Sequence, residues 1–115
     1  GLSFKPQTDD IREAPSLVMI RELLDAGAKV RAHDPIANTM VEPLFRGKVE
    51  FCENCYDALK DADALLVVTE WNEFRRPDFS KMKKQMKKPV ILDGRNIYDP
   101  KEMEDKGFIY YSIGR

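Results

Sequence analysis

The chain has 115 residues, enough for one domain with a hydrophobic core but few for a complete two-substrate enzyme. Charged residues make up 34% of it and the formal net charge is −1, so no overall charge favours nucleic acid or membrane surfaces. No apolar run approaches the length of a membrane span, nothing at the N-terminus resembles a signal peptide, and two cysteines do not suggest a disulfide scaffold. We therefore expect a cytoplasmic domain that binds neither nucleic acid nor membrane.

The first part of the chain predicts a strand end, a charged loop and a helix. Residues 1–4 are typical of the end of a strand, most of which would precede Gly1. The loop at 5–13 carries a lysine, an arginine, two aspartates and a glutamate. That is more charge than a connection requires, which makes this loop the first candidate for a ligand site. From Pro15, apolar residues recur every three or four positions, which predicts a helix that ends near Gly27.

Strand-like and helix-like patterns alternate through the rest of the chain. We predict strands at 29–33, 49–51, 64–69, 89–92 and 108–112, and helical stretches within 37–46, 56–60, 78–86 and 100–106. The 64–69 segment is apolar on both faces, as a central parallel strand is when helices cover both sides of the sheet. The pattern predicts an α/β fold, a three-layer Rossmann-like doubly wound parallel sheet whose first strand is truncated at the N-terminus.

The opening strand belongs in the centre of such a sheet. An unpaired central position exposes apolar backbone edges. We therefore expect the sheet either to leave a gap beside residues 1–4 or to fill it with a strand from a neighbouring chain.

Topology also predicts where a ligand binds. Doubly wound sheets hold ligands at the carboxyl ends of their strands, where the strand order reverses. Lys5, residues 70–72 and residues 93–96 would follow three neighbouring strand ends. Lys5 and Arg95 should therefore converge on one rim, with Arg12 nearby, and such cations suit phosphate or carboxylate. The alternative is that they form surface ion pairs with acidic neighbours.

Four motifs then resemble a known family. They are F-K-P-x-T-D-D-x-R-E-x-P-S at 4–16, D-P at 34–35, T-E-W-x-x-F at 69–74 and D-G-R-N at 93–96. Their order and spacing resemble the C-terminal UDP-binding domain of the UDP-glucose/GDP-mannose dehydrogenase family, most closely its bacterial UDP-glucose branch. The resemblance covers nearly the whole chain and is weakest from 36 to 62.

The resemblance implies that residues 1–115 are the UDP-sugar-binding domain of a larger enzyme. Such an enzyme oxidises the C6 alcohol of UDP-glucose twice to give UDP-glucuronate, through cysteine-bound intermediates and with two NAD⁺. It would be a homodimer with an N-terminal NAD-binding domain and a central dimerisation region. This sequence contains neither the G-x-G-x-x-G fingerprint nor the Gly-rich cysteine segment, so no catalytic residue is expected in it and no activity alone.

The resemblance also implies roles for four residues. Phe4, Lys5 and Arg95 would contact the UDP-sugar. Arg12 would reach across the interdomain cleft to NAD, which the absent domain would mainly hold. No residue is implied to bind a metal.

Two other functional classes stay open on the sequence alone. One is a stand-alone nucleotide-sugar binding module, or a dehydrogenase of a related sugar such as UDP-N-acetyl-mannosamine or GDP-mannose. The other is a thiol-redox module resting on Cys52 and Cys55. We favour incidental cysteines, because they lie in the least family-like segment. Zinc normally needs four ligands, and His33 is the only histidine.

Three further features have ordinary structural explanations. His33 lacks a nucleophile partner in sequence, so we expect a structural or solvated side chain. The basic stretch 81–88 is expected to be a solvated helix that packs Met82 and Met86 on the sheet. Trp71 could stack on a base or pack against the rim of the sheet.

Overall fold

Five short parallel strands and six helices make up the part of the chain that the computed structural model describes, residues 1–113. The strands are β1 (Val30–Ala32), β2 (Val49–Phe51), β3 (Leu65–Val67), β4 (Val90–Asp93) and β5 (Ile109–Ser112). The helices are α1 (Pro15–Asp25), α2 (Asn38–Val41), α3 (Cys55–Ala58), α4 (Asn72–Arg75), α5 (Phe79–Gln85) and α6 (Pro100–Asp105). A 3₁₀ turn, Glu42–Phe45, follows α2.

The strands pair in parallel as two separate sheets. β1 pairs with β2, with Val30 opposite Val49. β3, β4 and β5 form the second sheet in that order, with Leu65 opposite Ile91 and Val90 opposite Ile109. Read across both sheets, the order β2-β1-β3-β4-β5 is that of a doubly wound Rossmann sheet without its central strand.

A cleft of about 1110 Å³ lies between the two sheets, beside strands β1 and β3. Its lining includes Gly1 and Leu2, residues of β1 and β3, and Ile20 of α1. Within the described part of the chain, residues 1–6 form no strand and do not pair with either sheet. The predicted gap beside residues 1–4 is therefore present.

Each sheet has its own apolar core. On the first, α1, α2 and the 3₁₀ turn bury Ile20, Val41 and Phe45, respectively. On the second, α5 and α6 bury Met82 and Met103; Met86, just past α5, joins the same cluster. The basic stretch 81–88 therefore packs its methionines inward, as predicted.

Local signals explain where the helices begin. Asn54, Asp78 and Asp99 precede α3, α5 and α6, and each side chain accepts a backbone N–H from the first turn. Pro15 begins α1, where its missing N–H is not needed. Gly27 follows α1 with a φ of +88°, a conformation that glycine adopts without strain.

The structure departs from the predicted pattern in two places. The segment before α5 contains a short helix, α4, that the sequence pattern did not indicate. One face of the β3–β5 sheet is also less covered than expected, because Leu92, Ile109 and Tyr111 are exposed on it. A smaller cleft of about 430 Å³ lies between this face and Met19 and Leu23 of α1. Within residues 1–113, no helix is long and apolar enough to cross a membrane.

Candidate functional site

The candidate site is the rim formed by the loop at residues 2–5 and the carboxyl ends of β3 and β4. Side-chain hydroxyls hold the backbone of the loop from two sides. Ser16 of α1 donates to the carbonyl of Leu2 at 2.5 Å, and Thr69 donates to the carbonyl of Ser3 at 2.6 Å. The hydroxyl of Ser3 donates to the carbonyl of Lys5 at 2.7 Å. Ser3, Ser16 and Thr69 are all buried, so the loop is anchored in the interior.

Arg95 connects this loop to both strand ends. Its Nη2 donates to the carbonyl of Phe4 at 2.9 Å, and its Nε donates to the carbonyl of Val68 at 2.6 Å. Glu70 lies 3.4 Å from the same Nε and balances part of the positive charge. Arg95 therefore contacts the residue next to Lys5, whereas the convergence of the two cations themselves stays a prediction. A guanidinium has five N–H groups, so this arrangement leaves donors for a ligand.

Asp93 fixes the turn that presents Arg95. Its buried carboxylate accepts the backbone N–H groups of Arg95 at 2.9 Å and Ile97 at 2.8 Å. It also accepts the N–H of Tyr98 at 3.2 Å and the hydroxyl of Tyr110 at 2.6 Å. Four donors surrounding one carboxylate make this turn rigid.

Gly94 and Asn96 complete the same turn. The N–H of Gly94 donates to the carbonyl of Val67, and a Cβ at Gly94 would lie only 3.2 Å from that oxygen. Asn96 has a φ of +55°, a left-handed conformation that asparagine tolerates better than most residues. The D-G-R-N motif is therefore a turn with a definite role for each residue.

Phe4 and Lys5 are the exposed part of the loop. The Phe4 side chain is 36% exposed, and the ammonium of Lys5 lies 5.3 Å from its ring centroid. An aromatic face beside a cation suits a ligand that carries both a flat ring and negative charge.

Arg12 is engaged in the ion pair that the alternative interpretation expected. Its side chain is 88% exposed, and Nη2 lies 2.7 Å from Oδ2 of Asp10. The Arg12 hydrogen bonds lower the pKa of Asp10 to about 2, with a smaller contribution from the charge of Lys5. The structure thus places Arg12 in the charged segment at 5–13, after the loop at residues 2–5, and shows no contact between it and Phe4 or Arg95.

The cysteines and His33 have the features of structural residues. Cys52 and Cys55 are free, and burial raises the pKa of both thiols, which disfavours the reactive thiolate. Nδ1 of His33 is 2.8 Å from the carbonyl of Cys52, and its ring meets Phe74 edge to face. No cluster of three metal-ligating side chains occurs in residues 1–113.

Sequence reasoning missed the residues that anchor the site. Ser3, Ser16, Thr69 and Asp93 act through contacts with distant backbone groups, and a single sequence carries no signal for such pairs. Ser16, Thr69 and Asp93 lie within the four family motifs but had no predicted role, and Ser3 lies outside those motifs.

Comparison with known proteins identifies the family. Residues 1–100 match the model of the UDP-binding domain of the UDP-glucose/GDP-mannose dehydrogenase family. The chain belongs to this family.

Relatives and solved structures agree with that assignment. The chain is 50% identical to a UDP-glucose 6-dehydrogenase of Pseudomonas aeruginosa and 45% identical to that of Rhizobium meliloti. Each match covers all of this chain and 26% of the relative, so the chain spans about a quarter of their length. Among solved structures, an NDP-N-acetyl-D-galactosaminuronic acid dehydrogenase from Methanosarcina mazei has a TM-score of 0.83 at 36% identity, covering 100% of this chain and 23% of that one. A UDP-glucose dehydrogenase from Pyrobaculum islandicum has a TM-score of 0.75 at 30% identity, over 89% and 22%.

Proposed function

We propose that this chain is the UDP-sugar-binding half of the substrate cleft in an NAD-dependent UDP-glucose 6-dehydrogenase. The complete enzyme would oxidise UDP-glucose to UDP-glucuronate. The observation that carries the proposal is the hydrogen bond from Arg95 to the carbonyl of Phe4, the residue next to Lys5. The similarity to UDP-glucose 6-dehydrogenases over the whole chain supports the choice of substrate.

The residues of the rim divide the work of binding. The ammonium of Lys5 and the free N–H groups of Arg95 neutralise and orient the anionic part of the nucleotide sugar. The exposed face of Phe4 packs against an apolar or flat part of it. Because Ser16, Thr69 and Arg95 hold the loop beforehand, binding costs little ordering of the backbone.

NAD is bound mainly by other domains of the enzyme. When bound, NAD supplies the hydride acceptor for the oxidation of the sugar alcohol. Arg12 is the residue of this chain proposed to meet it. An exposed arginine suits an anionic partner across a cleft, but one cation already paired with Asp10 does not make a dinucleotide site. We therefore propose that the NAD-binding and central dimerisation domains lie on the remaining three quarters of the enzyme, and that residues 1–115 alone are inactive.

A related sugar is the second candidate. A UDP-N-acetyl-mannosamine dehydrogenase of Staphylococcus aureus matches this fold with a TM-score of 0.72 at 29% identity. The rim of Phe4, Lys5 and Arg95 binds the UDP part, which the substrates of both classes share. Residues outside this rim therefore select the sugar. Turnover of UDP-glucose against UDP-N-acetyl-mannosamine by the complete enzyme separates the two.

Calorimetric titration of the chain with UDP tests the proposal. We expect weak binding that weakens further as salt rises, because the contacts are between charges near the surface. Lys5→Ala should weaken it, whereas Lys48→Ala, which changes an exposed lysine at the amino end of β2, should not. A folded chain with no response to UDP, or equal losses in both variants, would contradict a site at this rim.

A further inference from the structure

Asp34 is a buried carboxylate at the carboxyl end of β1, and it accepts hydrogen bonds from three separate segments. The donors are the backbone N–H groups of Leu2 at 2.7 Å, Ser3 at 3.4 Å, Ile36 at 3.0 Å and Ala37 at 2.8 Å, and the indole N–H of Trp71 at 3.3 Å. No described cationic side chain forms an ion pair with it. Its charge is therefore held mainly by oriented N–H groups.

The two carboxylate oxygens of Asp34 have different partners. Oδ1 accepts from Ile36 and Ala37, which lie two and three residues further along the chain and lead into α2. Oδ2 accepts from Leu2, Ser3 and Trp71, which are remote in sequence. A cap of the local turn needs only Oδ1, so the contacts of Oδ2 require another explanation.

The segments that Oδ2 joins are those that flank the candidate site. Leu2 and Ser3 immediately precede Phe4 and Lys5, and Trp71 follows the end of β3. The carboxylate of Asp34 thus connects the loop and the β3 end to β1. Since an ionised acceptor forms stronger hydrogen bonds than a neutral one, this connection is stiffer than the hydroxyl anchors.

The ionisation state of Asp34 supports this arrangement. Burial alone would raise the pKa of Asp34, but the hydrogen bonds from the backbone N–H groups of Leu2, Ile36 and Ala37 outweigh it. The pKa of Asp34 therefore lies below its ordinary value and the group is charged at neutral pH.

We propose that Asp34 is a positioning residue for UDP binding, because Oδ2 holds the Leu2–Ser3 backbone and Trp71 where they present Phe4 and Lys5 to the ligand. This inference rests on the proposed function. Asp34 itself makes no contact with UDP and acts only through the loop.

The decisive variant is Asp34→Asn, which keeps the shape but offers one oxygen and one NH₂ group. In either orientation the NH₂ faces N–H donors on one side. Asn38→Ala is the matched control. Asn38 accepts the N–H of Asp34 and donates to the carbonyl of Cys52, so this variant weakens the same turn without touching Leu2 or Ser3. Trp71→Phe is a second test that keeps the carboxylate and removes one of the three donors to Oδ2.

Two measurements on the 115-residue chain test the role of Asp34: the Kd for UDP and the rate of amide exchange at Leu2 and Ser3. Both are made at a temperature where circular dichroism shows that each variant is folded. Asp34→Asn should raise the Kd for UDP at least tenfold and speed amide exchange at Leu2 and Ser3. Trp71→Phe should raise the Kd by a smaller factor. Asn38→Ala should lower the thermal midpoint while it leaves the Kd within twofold.

The outcomes separate this inference from the proposed function. If the wild-type chain does not bind UDP, the proposed site fails, and exchange at Leu2 and Ser3 still tests the anchoring role. Wild-type Kd and wild-type exchange in folded Asp34→Asn overturn the inference. If Asp34→Asn does not fold, an unchanged Kd in Trp71→Phe overturns it, and so does an equal rise in Kd with Asn38→Ala.

Discussion

Nη2 of Arg95 donates a hydrogen bond of 2.9 Å to the carbonyl of Phe4, 91 residues earlier in the sequence. This contact joins the loop at residues 2–5 to the turn after β4. Arg95 therefore stabilises the loop and is also a candidate residue for binding an anionic ligand. These two roles can be separated by experiment.

The structural role predicts a moderate loss of stability in Arg95→Ala. The variant loses the hydrogen bonds to the carbonyls of Phe4 and Val68, at a site that water can partly reach. We expect the free energy of unfolding in urea to fall by about 1–2 kcal/mol. Arg46→Ala, which changes an exposed arginine just after the 3₁₀ turn, should change it by less than about 0.5 kcal/mol. Equal stabilities of the two variants would show that these hydrogen bonds contribute nothing.

Glu70 limits the positive charge that Arg95 offers. Glu70→Gln removes the carboxylate 3.4 Å from Nε of Arg95, so UDP should bind more tightly. Partly exposed pairs are worth about 0.2–1 kcal/mol, so the Kd should fall by up to about fivefold. The control is Glu50→Gln, which breaks the pair with Arg31 on β1 and β2. A similar change in Kd for both variants would show a general effect of net charge rather than a role of Arg95.

Asp93 is expected to be a major contributor to stability. Asp93→Ala would remove the carboxylate that accepts the N–H groups of Arg95, Ile97 and Tyr98, and one of the two acceptors near the Tyr110 hydroxyl. Each unsatisfied buried donor costs about 1–3 kcal/mol, so the free energy of unfolding should fall by about 3 kcal/mol or more.

The comparison for this variant is Asp99→Ala, which removes the N-cap of α6. Loss of an exposed cap costs about 1 kcal/mol. If chemical denaturation gave the same small loss for both aspartates, the turn at 93–98 would not depend on its buried carboxylate.

Some features of the fold and of the candidate site were predictable from the sequence, and others were not. Strands and helices were predictable because apolar period, proline, glycine and capping residues act over a few positions, as at Pro15 and Gly27. The approach of the turn after β4 to the loop at residues 2–5 was predictable because strand order fixes which loops share a rim. The partners of Asp34, Asp93, Ser16 and Thr69 were not, since each bonds to groups that only the folded chain brings near. The exposed face of β3–β5 was not predictable either, because the sequence of a strand does not tell which helix covers it.

Tyr98 predicts how stability changes at alkaline pH. Burial, with smaller contributions from Asp93 and Tyr110, raises the pKa of Tyr98. Because the folded-state pKa is higher than the unfolded value near 10, the contribution of Tyr98 is complete below about pH 10. It is lost as the pH rises further, since the unfolded chain then releases the proton more easily.

Denaturation curves between neutral and strongly alkaline pH measure this effect. In Tyr98→Phe the loss of stability above about pH 10 should be smaller than in the wild type. Tyr111→Phe, whose ring is 60% exposed, should keep the wild-type curve. An unchanged alkaline slope in Tyr98→Phe would show that Tyr98 ionises as easily in the folded protein as in the unfolded chain.

The central claim is that the rim of Phe4, Lys5 and Arg95 binds the anionic part of a UDP-sugar. Its most direct measurement is the Kd for UDP of wild type, Arg95→Lys and Arg46→Lys at low salt. Lysine keeps the charge but lacks the planar fork, so Arg95→Lys should raise the Kd by about tenfold, the equivalent of one charge-assisted hydrogen bond. Arg46→Lys should bind as the wild type does. The same Kd in all three folded proteins would contradict the claim.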